Sequence, residues 1–330
     1  MRKKKQQFQD WGTAFDISVF YGRSEELTKL ESWIIEDSCR LVAVVGIGGV
    51  GKTTLVTQLA QQIQDQFDYV FWRSVPTIPN FNDIISNTLS FISHHKESKP
   101  DINRLIHYLR THRCLIILDN LETALDARDT EYHHLLRIIA ETKHQSCVIF
   151  TSRLKSPPIK LLEKRSLSVH CLRLLGSSEI AFSLLESEQL LGTEQQKHQL
   201  CDLYSNNPLK IKIVTQTIMD LFNGDIETFL AQKTLLVSQQ INTLLEQQLN
   251  SLSTLEQQII YHFATHQQPV TINSLINQLP HISRYHLFQA IENISSRCLI
   301  EKTAGKYILP PLIIEYVQNN FHHHYPFMNF

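Results

Sequence analysis

A chain of 330 residues is long enough for two or three domains, each with its own apolar core. Its 42% hydrophobic and 19% charged residues are globular values, and a formal net charge of −1 leaves no global bias toward nucleic acid or an anionic membrane. No window approaches the roughly 18 apolar residues of a membrane span, and the basic run at residues 2–5 lacks the apolar segment of a signal peptide, so the expected setting is soluble and cytoplasmic.

From the N-terminus, residues 1–17 read as a tail. Residues 18–175 read as one domain, within which 41–155 alternate apolar runs with amphipathic stretches, the pattern of βαβ units around a mostly parallel sheet. The expected strands are 41–45, 69–75, 114–119 and 146–152, with helices near 52–66, 81–93, 102–110 and 130–142. The segment "SPP" at 156–158 is expected to close the last of these strands, and 167–174 to add an edge strand. Cys114 and Cys147 open two of the apolar runs, where cysteine serves as a small core residue. The six cysteines form no CxxC pair, and the histidine clusters at 94–95, 133–134 and 322–324 lack partner ligands at metal spacing.

After Gly176 the strand pattern stops. Helical periodicity over 177–191, 194–205, 208–222 and 225–232 predicts a small helical domain, 176–235. A helix near 236–249 then leads into a third domain, 236–320. There Ser253 and Glu256 spell a capping box, helices follow at 271–279 and 283–297, and 298–310 reads as a hairpin turning at Ala304-Gly305. Three helices and a two-stranded wing describe a winged helix. Residues 321–330 read as a C-terminal tail.

Four of the chain's ten glycines fall within six positions of "VVGIGGVGKTTL". Gly46-x-x-x-x-Gly51-Lys52-Thr53 fits the phosphate-binding P-loop, with an apolar strand before it and an amphipathic helix after it. Glycines allow the backbone to curl round a polyphosphate with N–H groups inward, and the helix beginning near Lys52 adds its positive end. The segment nominates Gly46, Gly48, Gly49, Val50, Gly51, Lys52, Thr53 and Thr54 as nucleotide-binding. Lys52 suits the β- and γ-phosphates, and the Thr53 hydroxyl suits Mg²⁺. Asp119, closing the apolar run "LIILD", is the expected second magnesium ligand. The strand between the two motifs predicts a sheet in which their strands are not neighbours. Arg153, after "FTS", is placed to report the γ-phosphate.

These residues resemble the NB-ARC type of signal-transducing P-loop ATPases (the STAND class), over about 18–320. "VFYGRSEEL" (19–27) is similar to that family's hhGRxxE motif through Gly22, Arg23 and Glu26, which implies that Arg23 lies beside the adenine. "FDYVFWRSV" (67–75) resembles its second-strand motif and "FTSR" its sensor strand. "NNPLKIKIV" (206–214) resembles the GLPL segment, which implies that Pro208 packs on the nucleotide. "DWGTAFDISVFYGR" and "HRCLIILDNLE" are most similar to bacterial members that continue into β-propeller repeats. Three positions depart from the pattern. Asn120 stands where the family often has a second acid, leaving Glu122 as the next candidate to orient water. Asn206-Asn207 replaces the glycine before Pro208. Pro310 stands where the winged helix carries a histidine, and proline has no donor to offer.

The resulting expectation is an α/β P-loop protein with helical and winged-helix domains. It acts as a switch that binds ATP or ADP with Mg²⁺, hydrolyses ATP slowly through Lys52, Asp119, Glu122 and Arg153, and couples this to protein partners or self-association. The alternatives are a winged-helix DNA-binding regulator with a nucleotide-sensing domain and a nucleotide binder without turnover. The helix at 283–297 offers Arg284, His286 and Arg297 but also Glu292, a sparser basic face than DNA readers present.

Overall fold

The apolar runs become strands because both of their faces are covered. β1 (Phe8–Asp10), β2 (Leu41–Val45), β3 (Tyr69–Ser74), β4 (Cys114–Asp119), β5 (Cys147–Ser152) and β6 (Val169–Arg173) form one parallel sheet in the order β1-β3-β4-β5-β2-β6. Every residue of β2, β4 and β5 is buried. In β2, Leu41, Ala43 and Val45 join a core with Phe81, Ile85, Leu109 and Leu136, while Val42 and Val44 are buried on the opposite face. A strand buried on both sides reads as a continuous apolar run, which is the pattern the sequence shows. β5 separates β2 from β4, so the two motif strands are not adjacent, as their spacing predicts.

This computed structural model describes residues 7–14, 16–17, 20–75, 80–126, 130–236 and 238–324, so the basic run at 2–5 lies outside the described residues. The chain divides into two compact units: one contains the sheet, up to Gly46 and then Gly51–Leu174, and the other contains Ile47–Val50 and everything from Leu175 on. Among the described residues no helix is long and apolar enough to cross a membrane.

The helices of the first unit are α1 (Ser24–Glu31, continued by a π-helical turn over Ser32–Glu36), α2 (Lys52–Ile63), α3 (Phe81–Ile92), α4 (Ile102–Thr111), α5 (Glu122–Asp126), α6 (Thr130–Glu141) and α7 (Pro157–Arg165). The sequence reading gave no helix at α1 or α5, and two further features depart from it. Residues 8–10, within the stretch read as a tail, add an edge strand beside β3. It is secured by Asp10, whose carboxylate takes two bonds from Arg73 at 2.9 and 2.6 Å. And "SPP", expected only to close β5, opens α7: Pro157 and Pro158 occupy its first turn, where a fixed φ suits the helix and no N–H is needed.

The second unit holds α8 (Ser178–Ser187), α9 (Glu194–Leu203), α10 (Pro208–Phe222), α11 (Ile226–Leu230), α12 (Gln239–Asn250) and α13 (Thr254–His266). These are followed by β7 (Val270–Thr271), α14 (Ile272–Gln278), α15 (Arg284–Ser296), β8 (Glu301–Thr303), β9 (Lys306–Ile308) and α16 (Pro311–His324). The Ser253–Glu256 capping box forms in both directions, fixing the start of α13. Ala304 and Gly305 both take positive φ (50° and 79°), the backbone of a tight two-residue hairpin. β7 adds a third strand to that hairpin, in the order β7-β9-β8. With two residues it is too short to carry an alternation signal.

Candidate functional site

Strand register brings the candidate residues of the sheet to one edge. β2 and β5 pair Val45 with Ser152, β3 and β4 pair Ser74 with Asp119, and β4 and β5 pair Leu118 with Phe150. The glycine loop after β2, Asp119 at the end of β4 and Arg153 after β5 therefore leave the sheet at its carboxyl edge, where open α/β sheets bind ligands.

The loop departs from helical or strand geometry where the glycines require it. Gly49 and Gly51 adopt φ of 78° and 97°, a region costly for residues with a Cβ, whereas Gly46 and Gly48 do not. Gly51 precedes α2 directly. Lys52 is buried, and its ammonium donates to Gly46 O at 2.9 Å, so the side chain folds back over the loop. Val50 is fully buried, and Thr54 is exposed on the first turn of α2.

Thr53 and Asp119, far apart in sequence, are joined. The Thr53 hydroxyl lies 2.9 and 3.1 Å from the two Asp119 oxygens. Thr151 donates to the same carboxylate at 2.6 Å, and the Asn120 amide at 3.1 Å. Burial pushes the Asp119 carboxyl above the usual carboxylate range, while the bonds from Thr151 and Thr53 and the Lys52 charge pull it back. The site thus holds a carboxylate that gains from more positive charge nearby. Asn120 takes φ of 60°, its N–H bonds to Thr151 Oγ1, and its side chain is committed to Asp119 and Ser74.

Glu122, the first residue of α5, pairs with Arg153: Nε lies 3.1 Å from Oε1. The other oxygen of Glu122 is buried and has no hydrogen-bond partner among the described residues. Arg23 takes a left-handed φ of 63° at the start of α1 and reaches Glu26 at 2.6 Å, so the two polar residues of the GRxxE stretch hold each other.

Within the second unit, Pro208 opens α10 and Asn207 precedes it as the N-cap. Asn207 is fully buried and works in two directions: Oδ1 accepts from Lys210 N at 3.2 Å, and Nδ2 donates to Gly48 O at 2.9 Å. Leu209 N donates to Gly49 O at 3.2 Å, and a Cβ on Gly49 would stand 2.6 Å from Leu209 Cβ. The sequence reading noted Asn207 only as a replaced glycine and did not single out Thr151. An Asn-Pro pair at a helix start is a readable cap signal. The role of Thr151 depends on strand register and leaves no local signal.

The family model described as the NB-ARC domain matches residues 23–192, just over half of the chain. An uncharacterized WD repeat-containing protein of Nostoc sp. is 37% identical over 344 residues, which cover 94% of this chain and 27% of that protein. The probable disease resistance protein RXW24L of Arabidopsis thaliana is 30% identical over 153 residues, 42% of this chain and 16% of its own length. The chain thus spans about a quarter or less of these relatives. Among solved structures, the Walker-type ATPase of Pyrococcus abyssi superposes with a TM-score of 0.65 at 16% identity, covering 91% of this chain and 96% of that one, a likeness of fold. With the matched segment running from Arg23 through β2–β6 and past α8, the chain belongs to the NB-ARC family.

Proposed function

We propose that the chain is a nucleotide-dependent switch that binds ATP and ADP at the glycine loop. The observation that carries this reading is the assembly of Lys52, Thr53 and Asp119 behind that loop: an ammonium, a hydroxyl and a buried carboxylate within hydrogen-bond reach of one another or of the loop backbone. On binding, the Lys52 ammonium exchanges its Gly46 carbonyl for phosphate oxygens, a charge-assisted and therefore stronger bond. Thr53 and Asp119 offer hard oxygen donors, and the burial penalty on Asp119 favours a dication beside it, so this pair would hold Mg²⁺. Bound there, the metal supplies charge neutralisation for the phosphates.

Asn120 is turned toward Asp119 and Ser74 and has no carboxylate to activate water. Glu122, with an unpartnered oxygen, takes that part, and hydrolysis is slow because its other oxygen is engaged by Arg153. Arg153 senses the γ-phosphate by leaving Glu122 for it. Such a difference in contacts lets a ligand bias a two-state protein. The helical segment (176–235) and winged helix (236–320) are the parts that respond, through protein partners or self-association. α15 exposes Arg284, Tyr285, Phe288, Gln289 and Glu292, a mixed aromatic face that favours protein over DNA as the partner.

Calorimetric titration of wild type and Lys52→Ala with ATP and ADP tests the binding step, with an affinity loss of at least about tenfold expected in the variant. Equal affinities would remove the reading. Phosphate release by wild type against Glu122→Gln tests the assignment of Glu122: retention of full activity in the variant assigns that role elsewhere.

A further inference from the structure

The linker Thr234–Leu236, which leads from α11 toward α12, is held by side chains from two different helices. Lys233 has a positive φ of 55°, a reversal that aims the following amides to one side. There the carboxylate of Glu315, on α16, accepts three donors. They are Thr234 Oγ1 at 2.6 Å, Leu235 N at 2.8 and 3.0 Å, and Leu236 N at 3.3 Å. From the other direction Tyr204, the buried C-cap residue of α9, donates its hydroxyl to Leu235 O at 2.8 Å. Leu235 therefore has its N–H fixed from the last helix of the unit and its C=O fixed from α9. Burial, and then the Glu315 charge, push the Tyr204 hydroxyl well above the ordinary phenol range, so it remains a donor at any working pH.

Apolar packing does not close the structure at this point. A cleft of about 640 Å³ lies along the linker, lined among others by Leu203, Phe229, Leu235, Pro311, Ile314 and Gln318. The apolar contact shared by α10, α12 and α16 is a separate connection between the same parts. Apolar packing is non-directional, whereas a carboxylate receiving three donors specifies one path for the chain.

We propose that Glu315 and Tyr204 form a latch on the linker, fixing the angle at which the winged-helix segment leaves α11, and that Thr234–Leu236 is the pivot when the latch opens. One carboxylate holds all three donors, so losing it releases them together while the apolar contact between the parts persists. No step requires nucleotide, so the latch stands or falls independently of the reading of the glycine loop.

The test uses the full chain without nucleotide. Hydrogen exchange is followed on the peptide carrying Leu235 and Leu236. Distances are measured by electron resonance between spin labels on unnatural residues replacing the exposed Glu188 and His281. Glu315→Gln is expected to speed exchange at these amides on the order of 10- to 100-fold and to broaden the distance distribution. Tyr204→Phe is expected to do the same more weakly, and the double variant to fall short of the sum because both groups act on Leu235. Faster exchange with an unchanged distance distribution would make Glu315 a local cap and overturn the latch. Should Glu315→Gln not fold, Tyr204→Phe decides by the same two measurements.

Discussion

Lys210, the third residue of α10, is 3% exposed, and its ammonium makes no hydrogen bond or ion pair among the described residues. Burial lowers its pKa from the ordinary 10.5 to about 8. At about 1.4 kcal/mol per unit, a fall from 10.5 to about 8 amounts to a penalty of about 3 kcal/mol for keeping the charged form folded. Below pH 8 both the folded and unfolded chains carry the proton, so the penalty is fully present. Between about pH 8 and 10.5 the folded chain releases its proton first and the penalty declines; above that range it is gone. Lys210→Met keeps an unbranched apolar stem and removes the charge. It is expected to stabilise the nucleotide-free second unit by about 3 kcal/mol at pH 7, a shift of roughly 1–2 M in a urea midpoint. The chain carries its own control, because all three tryptophans (Trp11, Trp33 and Trp72) belong to the first unit. Tryptophan fluorescence should leave its midpoint unchanged while the far-ultraviolet dichroism of the helical second unit moves. A variant no more stable than wild type at pH 7, or equally stabilised at pH 7 and pH 10.5, would refute the reasoning.

Asn207→Ala removes both the cap on α10 and the bond to Gly48 O. Its thermal unfolding should report a loss of about 1–2 kcal/mol, together with weaker ADP binding by calorimetry, and unchanged ADP affinity would separate the cap from the loop. The two strained glycines should respond differently to alanine. A Cβ on Gly51 meets nothing within 4 Å, so Gly51→Ala carries only left-handed strain, roughly 1–2 kcal/mol. Gly49→Ala adds a collision with Leu209 Cβ at 2.6 Å and should lower Tm further. Equal losses of Tm would show that the approach of Leu209 does not constrain the loop.

The P-loop, its flanking strand and helix, the strands 41–45 and 114–119 and the helix starting at Pro208 were all legible locally. Each rests on a signal contained within a few residues: a glycine spacing, an apolar run, a cap, a proline. The same holds for the Ser253–Glu256 box and the Ala304-Gly305 turn, where side-chain reach and backbone φ decide the outcome. Asp119 was nominated from its position at a strand end. That Thr53 and Thr151 both bond its carboxylate follows from the placement of β5 between β2 and β4, a choice of sheet order.

Sequence alone determined most of the strands and helices and where backbone freedom concentrates, because those depend on short-range sterics and on the period of apolar residues; β1, α1, α5, α7 and β7 were not among them. Tertiary structure alone decided the pairings: Arg153 with Glu122, Asp10 with Arg73, Glu315 with the linker amides and Asn207 with the loop carbonyl. All of these join groups many residues apart, and polar groups leave no periodic trace of the partner they will meet. Their geometry exists only once the apolar cores have brought the elements together.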